Sequence, residues 1–149
     1  MMANGSSVLR VLMIEEDPAD IRVMRDALAE GELPFALKVI SDGVAAIDWM
    51  INECGETDWR KRRPDLILLN LELTSLSARS VLLILKAHVR TRAIPVIVMS
   101  RSCGELVIQD ASDHRANCYV EKSGNRQAML QILRGVRMFW MDAPRLSDR

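Results

Sequence analysis

Aromatic side chains are scarce in this sequence: two Phe, three Trp and one Tyr, 4% of 149 residues. Within an apolar share of 49%, a core must therefore be built from Leu, Val, Ile and Met. Cysteine is scarce too. Cys54, Cys103 and Cys118 are odd in number and contain no C-x-x-C spacing. That argues against a disulfide framework or a zinc site and for a reducing, cytoplasmic setting. Neither charge is in excess, since 20 basic and 20 acidic residues cancel. No overall field draws the chain to nucleic acid or anionic lipid. No apolar run approaches the roughly 18 residues of a membrane span, and the opening MMANGSSVLR lacks the features of a signal peptide. The expectation is one soluble domain over residues 8–141, with a loose start at 1–7 and a polar tail at 142–149.

What is present is an alternation of short β-like runs with longer helical ones. Residues 8–14 read as a strand, stopped by Glu15-Glu16-Asp17. Pro18 suits a first helical turn, and Ile21, Met24, Ala27 and Leu28 have the spacing of a buried helical stripe. Residues 35–40 form a second strand ending at the turn Ser41-Asp42-Gly43, and a helix carrying Val44, Ile47, Trp49, Met50 and Ile51 follows. Strands are also expected over 65–70, 95–99 and 118–120, and helices over 81–89, 105–111 and 127–140. In the helix over 81–89, Leu83 or Ile84 is expected to face outward. The basic run Arg60-Lys61-Arg62-Arg63 reads as a solvated loop before the third strand. Without interleaved aromatics or a reading helix it is a weak nucleic-acid footprint.

This is an α/β, (βα)5 pattern. Near-continuous apolar runs in the first, third and fourth strands fit a parallel sheet covered on both faces. In such sheets the functional crevice lies beyond the carboxyl ends of the strands, where strand order reverses. The residues delivered there are Glu15, Glu16, Asp17, Asn70, Ser100 and Lys122. Consecutive acids after the first strand have two readings: a helix cap, with Asp17 before Pro18 as N-cap, and a hard-cation site, since Mg²⁺ takes a few oxygens and keeps its water.

The segments VLMIEEDPAD, DGVAAIDWM, RPDLILLNLEL, IPVIVMSRS and NCYVEKS stand in the order and spacing of bacterial response-regulator receiver domains (CheY-like). Over residues 8–140 the chain resembles most the single-domain receivers that accompany phytochrome-type histidine kinases. The resemblance implies a flavodoxin-like, doubly wound parallel sheet of five strands. It implies metal positions at Glu15 and Glu16, a phosphoryl-binding hydroxyl at Ser100, an aromatic switch at Tyr119 and a charge-neutralising cation at Lys122. Phosphoryl transfer is mostly positioning and charge compensation around a nucleophilic oxygen, so these residue types suit it.

The nucleophile departs from that pattern. Asn70 stands where the family has its phosphoacceptor aspartate, and a neutral amide is a poor nucleophile. The family's Pro-x-x-Asp-Gly loop reads Thr74-Ser75-Leu76-Ser77-Ala78, and Ser123 replaces the proline after the lysine. Several departures together fit natural drift better than one designed change. The expectation is a pseudo-receiver with no enzymatic activity and a weakened Mg²⁺ site at Glu15, Glu16, Asn70 and Glu72. Glu72 is expected to contribute only its backbone, and Lys122 to turn to Glu15 or Glu16. The alternative is a phosphoryl-accepting regulator, with Asn70 introduced in place of Asp or another acid substituting.

Other classes on this fold are disfavoured. A flavin carrier needs a phosphate loop after the first strand, where EEDPADI is acidic. A haloacid-dehalogenase-type phosphatase needs Asp-x-Asp there. Leu106, Val107, Ile108, Leu130 and Met138 add apolar surface beyond what helix packing uses. The resemblance implies a homodimer through the helices over 105–111 and 127–140 and the fifth strand. The implied partner is a sensor histidine kinase or another signalling protein, with no nucleic acid and no membrane.

Overall fold

The computed structural model describes residues 8–30, 34–101, 118–121, 130, 131 and 134. Five strands, β1 (Leu9–Ile14), β2 (Phe35–Ile40), β3 (Leu66–Asn70), β4 (Val96–Ser100) and β5 (Cys118–Glu121), form one sheet in the order β2-β1-β3-β4-β5. Every pairing is parallel. The sequence pattern explains the order. All residues of β3 and β4 are buried, as central strands covered on both faces must be. β2 alternates between half-buried and exposed over most of its length and takes an edge.

The two faces of the sheet carry alternating side chains. On one face Leu12, Ile14, Ile67, Leu69, Val96 and Val98 pack under α2 (Gly43–Asp48) and α4 (Ala78–Ala87), which contribute Ala46, Val81, Leu82 and Leu85. On the other, Val11, Met13, Leu66, Leu68, Ile97 and Met99 pack under α1 (Pro18–Glu30) through Met24 and Ala27. The helix starts follow capping chemistry. Asp42 Oδ1 accepts the Val44 N–H at 3.2 Å, and Ser77 Oγ accepts the Ser80 N–H at 3.1 Å. At Gly43 an added Cβ would stand 3.0 Å from a Val81 methyl, so α2 approaches α4 closely only because that residue is glycine.

Two readings need correction. The basic run, expected in a loop, lies largely in a helix, α3 (Glu56–Arg62), which places Arg60, Lys61 and Arg62 in its exposed last turn. Its only buried apolar side chain is Trp59, so periodicity gave no signal. The outward face expected at Leu83 or Ile84 is borne out, and both side chains are exposed. Leu130, expected on a surface patch, is half-buried against the α1 face of the core. Leu106, Val107, Ile108 and Met138 lie outside the described residues, as do Lys122 and Ser123. No described helix is long and apolar enough to cross a membrane.

A single arginine holds the region that the sequence did not reveal. α2 continues as a π-helical turn over Trp49–Glu53, closed by the Cys54 N–H donating to the Trp49 carbonyl at 3.3 Å. The Arg90 guanidinium donates to the carbonyls of Met50 at 2.9 Å, Ile51 at 3.4 Å and Cys54 at 2.8 Å. It thus satisfies acceptors left over at a helix end. The same group lies 5.1 Å from the ring centre of Trp59, which meets Trp49 edge-on at 6.1 Å. Arg90→Ala is expected to lower stability by about 1–3 kcal/mol, the cost of leaving half-buried acceptors unmatched. Arg90→Lys should recover only part, because an ammonium lacks the guanidinium's planar fork. Urea unfolding followed by tryptophan fluorescence measures both.

Candidate functional site

Strand order reverses between β1 and β3, since β2 lies on one side of β1 and β3 on the other. The polar residues cluster at the carboxyl ends of these strands, as this topology directs. Glu15, Asn70 and Ser100 are only 1%, 4% and 0% exposed. Polar groups so buried must be matched by protein donors and acceptors.

Asn70 ends β3 and its amide is used at both ends. Nδ2 donates to Glu15 Oε2 at 2.8 Å, and Oδ1 accepts the Glu72 N–H at 3.1 Å. The same Glu15 oxygen accepts the N–H groups of Glu16 and Asp17, each at 3.1 Å. The turn after β1 is thereby wrapped around one carboxylate oxygen. An aspartate at position 70 would set two acceptor oxygens against each other here. That arrangement needs a proton or a cation between them. The asparagine supplies the missing hydrogen itself.

The flanking acids are also committed. Glu16 Oε2 accepts the Thr74 hydroxyl at 3.0 Å and the Thr74 N–H at 3.4 Å. It is thus tied to the loop that departs from the receiver pattern. Asp17 takes the capping role, its Oδ1 accepting the Ala19 N–H at 2.9 Å at the start of α1. Glu72 corrects the sequence reading. Its side chain bends back over the pocket, where Oε2 accepts the Ser100 hydroxyl and Oε1 accepts the Arg101 N–H at 3.4 Å.

Arg101 is the functional residue that sequence reading missed. Its guanidinium spans from the end of β4 to α1, pairing with Asp17 and, at 3.0 Å, with Asp20. Asp20, then Asp17 and Glu15, push its pKa above the ordinary arginine value. The signal available in the sequence was a cation directly after the Ser100 strand end, facing a stretch rich in acids. Tyr119 lies in β5, in register with Val98.

Glu15, Glu16, Asn70, Glu72 and Ser100 are thus brought to one edge, but the four expected metal positions do not converge. Glu15 faces Asn70, Glu16 faces Thr74 and Glu72 faces Ser100. Among the described residues no group of three or more His, Cys, Asp or Glu stands as a metal-holding set. A hard cation takes several oxygens at once, and here Glu15 Oε2, Glu16 Oε2, Asn70 Oδ1 and Glu72 Oε2 already accept N–H or O–H donors.

The chain is 30% identical over 132 residues to the response regulator Rcp1 of Synechocystis, covering 89% of this chain and 88% of that protein. A phosphorylated cyanobacterial phytochrome response regulator, RcpA, superposes with a TM-score of 0.78 at 34% identity, covering 91% of this chain and 96% of RcpA. The Mn²⁺-bound form of Rcp1 superposes with a TM-score of 0.74 at 30% identity, with the same coverage of each chain. No protein-family model matches. The parallel sheet and these neighbours establish the CheY-like receiver fold that the sequence implied.

Asn70→Asp is expected to lose about 1–3 kcal/mol of stability in EDTA, since it exchanges a buried hydrogen bond for an unmatched acceptor. Mg²⁺ should raise the melting temperature of that variant and leave the parent nearly unchanged. Thermal melts with and without the ion give the comparison.

Proposed function

Because the chain belongs to the response-regulator receiver family, we propose that it acts as a pseudo-receiver: it signals by protein contact and takes no phosphoryl group at the usual position. The observation that supports this most is the Asn70–Glu15 hydrogen bond at 2.8 Å. At the end of β3 it puts a neutral donor where a nucleophilic oxygen is needed. The Asn70 oxygen is in turn taken up by the Glu72 N–H. Nucleophilic catalysis at a carboxyl requires an available anionic oxygen, and position 70 has none.

In this reading the partner is a sensor histidine kinase or another protein of a two-component pathway. The likeness to proteins named as phytochrome response regulators supports testing a light-sensing kinase first. The protein competes with competent regulators for the kinase, or holds a partner in one signalling state. It is cytoplasmic, is not an enzyme, and binds Mg²⁺ weakly. It forms a homodimer through the segments over 105–111 and 127–140 and β5.

One observation favours a second reading. Glu72 brings a carboxylate to the Ser100 hydroxyl, which positions it to act as a surrogate acceptor. Intact-protein mass after incubation with Mg²⁺ and acetyl phosphate separates the two. The expected result is no adduct on the parent and a single phosphoryl adduct on Asn70→Asp. An adduct on the parent that disappears in Glu72→Gln would establish the second reading instead.

A further inference from the structure

We propose that Glu72 is a resident anion, filling from within the chain a seat built for a tetrahedral oxyanion of the phosphate class. The proposal rests on the pseudo-receiver reading and deepens it. Among the described residues, two donors meet at the seat: the hydroxyl of Ser100, a residue with no exposed surface, and the main-chain N–H of Arg101. A hydroxyl and an adjacent N–H directed to the same side form a recurrent anion site, because charged acceptors strengthen both bonds. In this chain the two donors go to the two oxygens of one carboxylate, Oε2 to Ser100 and Oε1 to Arg101.

Glu72 does not reach this place by chance of rotamer. Its own N–H is fixed on Asn70 Oδ1 at 3.1 Å, and that bond turns the chain after β3 so that the side chain returns over the pocket. It is held there against an unfavourable field. Glu15, Glu16, Asp17 and Asp20 all lie at the same edge, and like charges so near disfavour a further anion. Among the described residues two features offset this. Position 70 is neutral, and the Arg101 guanidinium spans the acids of α1. An aspartate at position 70 would add one more negative charge beside Glu72. The neutral residue at 70 and the anion from 72 therefore belong together. Their joint effect is to hold the Ser100 hydroxyl as a bound oxyanion would hold it, with no phosphoryl donor required.

The test uses the full chain with Asn70 retained and inorganic phosphate as the probe, read on the Ser100 and Arg101 amide signals by ¹H–¹⁵N NMR. In Glu72→Ala these amides should shift saturably with phosphate, and Glu72→Gln, which keeps the side chain's size, should shift the same way. Binding should be about tenfold tighter than in the parent or more, equivalent to about 1.4 kcal/mol. Adding Ser100→Ala to Glu72→Ala should abolish the response. Equal shifts in parent and variants would overturn the proposal, as would no shift in either. Because Asn70 is untouched, a failure here is distinct from failure of the pseudo-receiver reading, which an adduct on the parent in the mass measurement would report.

Discussion

The hydrogen bond from the Asn70 amide to Glu15 is the interaction on which the pocket depends. It joins the ends of β1 and β3 at the point where the sheet reverses order. Glu15 cannot rely on solvent there, and its oxygen instead gathers three N–H donors, two from the turn after β1 and one from Asn70. With a carboxylate in place of the amide, like charges at this separation would repel by a few kcal/mol even at a protein's effective dielectric. With nitrogen rather than oxygen at this position, the chain itself supplies the hydrogen between positions 15 and 70.

The neighbouring contacts follow from that closure. Beside it, Glu16 bonds the Thr74 loop and Asp17 caps α1. The positive charge still required by the acids of this edge arrives on Arg101, carried from β4 to α1. Departures that look scattered along the chain, at positions 70 and 74, meet in one hydrogen-bonded system.

Much of this was legible in the sequence. Continuous apolar runs identified β3 and β4, and the Glu15, Asn70 and Ser100 positions followed from where those runs stop. What escaped had physical reasons. α3 carries charged residues around Trp59 alone, so it has no stripe to detect, and its support comes from Arg90, far along the chain. Arg101 acts through acids more than eighty residues away, and spacing along a chain does not reveal such a pairing. Glu72, expected to contribute only its backbone, escaped too. The strand ends at Asn70, and the turn that follows redirects the side chain.

The most direct measurement of the central contact is hydrogen exchange of the Asn70 side-chain amide, followed by NMR in EDTA and again in excess Mg²⁺. A group buried and bonded to Glu15 without help from a cation should show a slowly exchanging, dispersed pair of protons, with the same protection in both conditions. Rapid exchange in EDTA, with protection appearing only when Mg²⁺ is added, would contradict it.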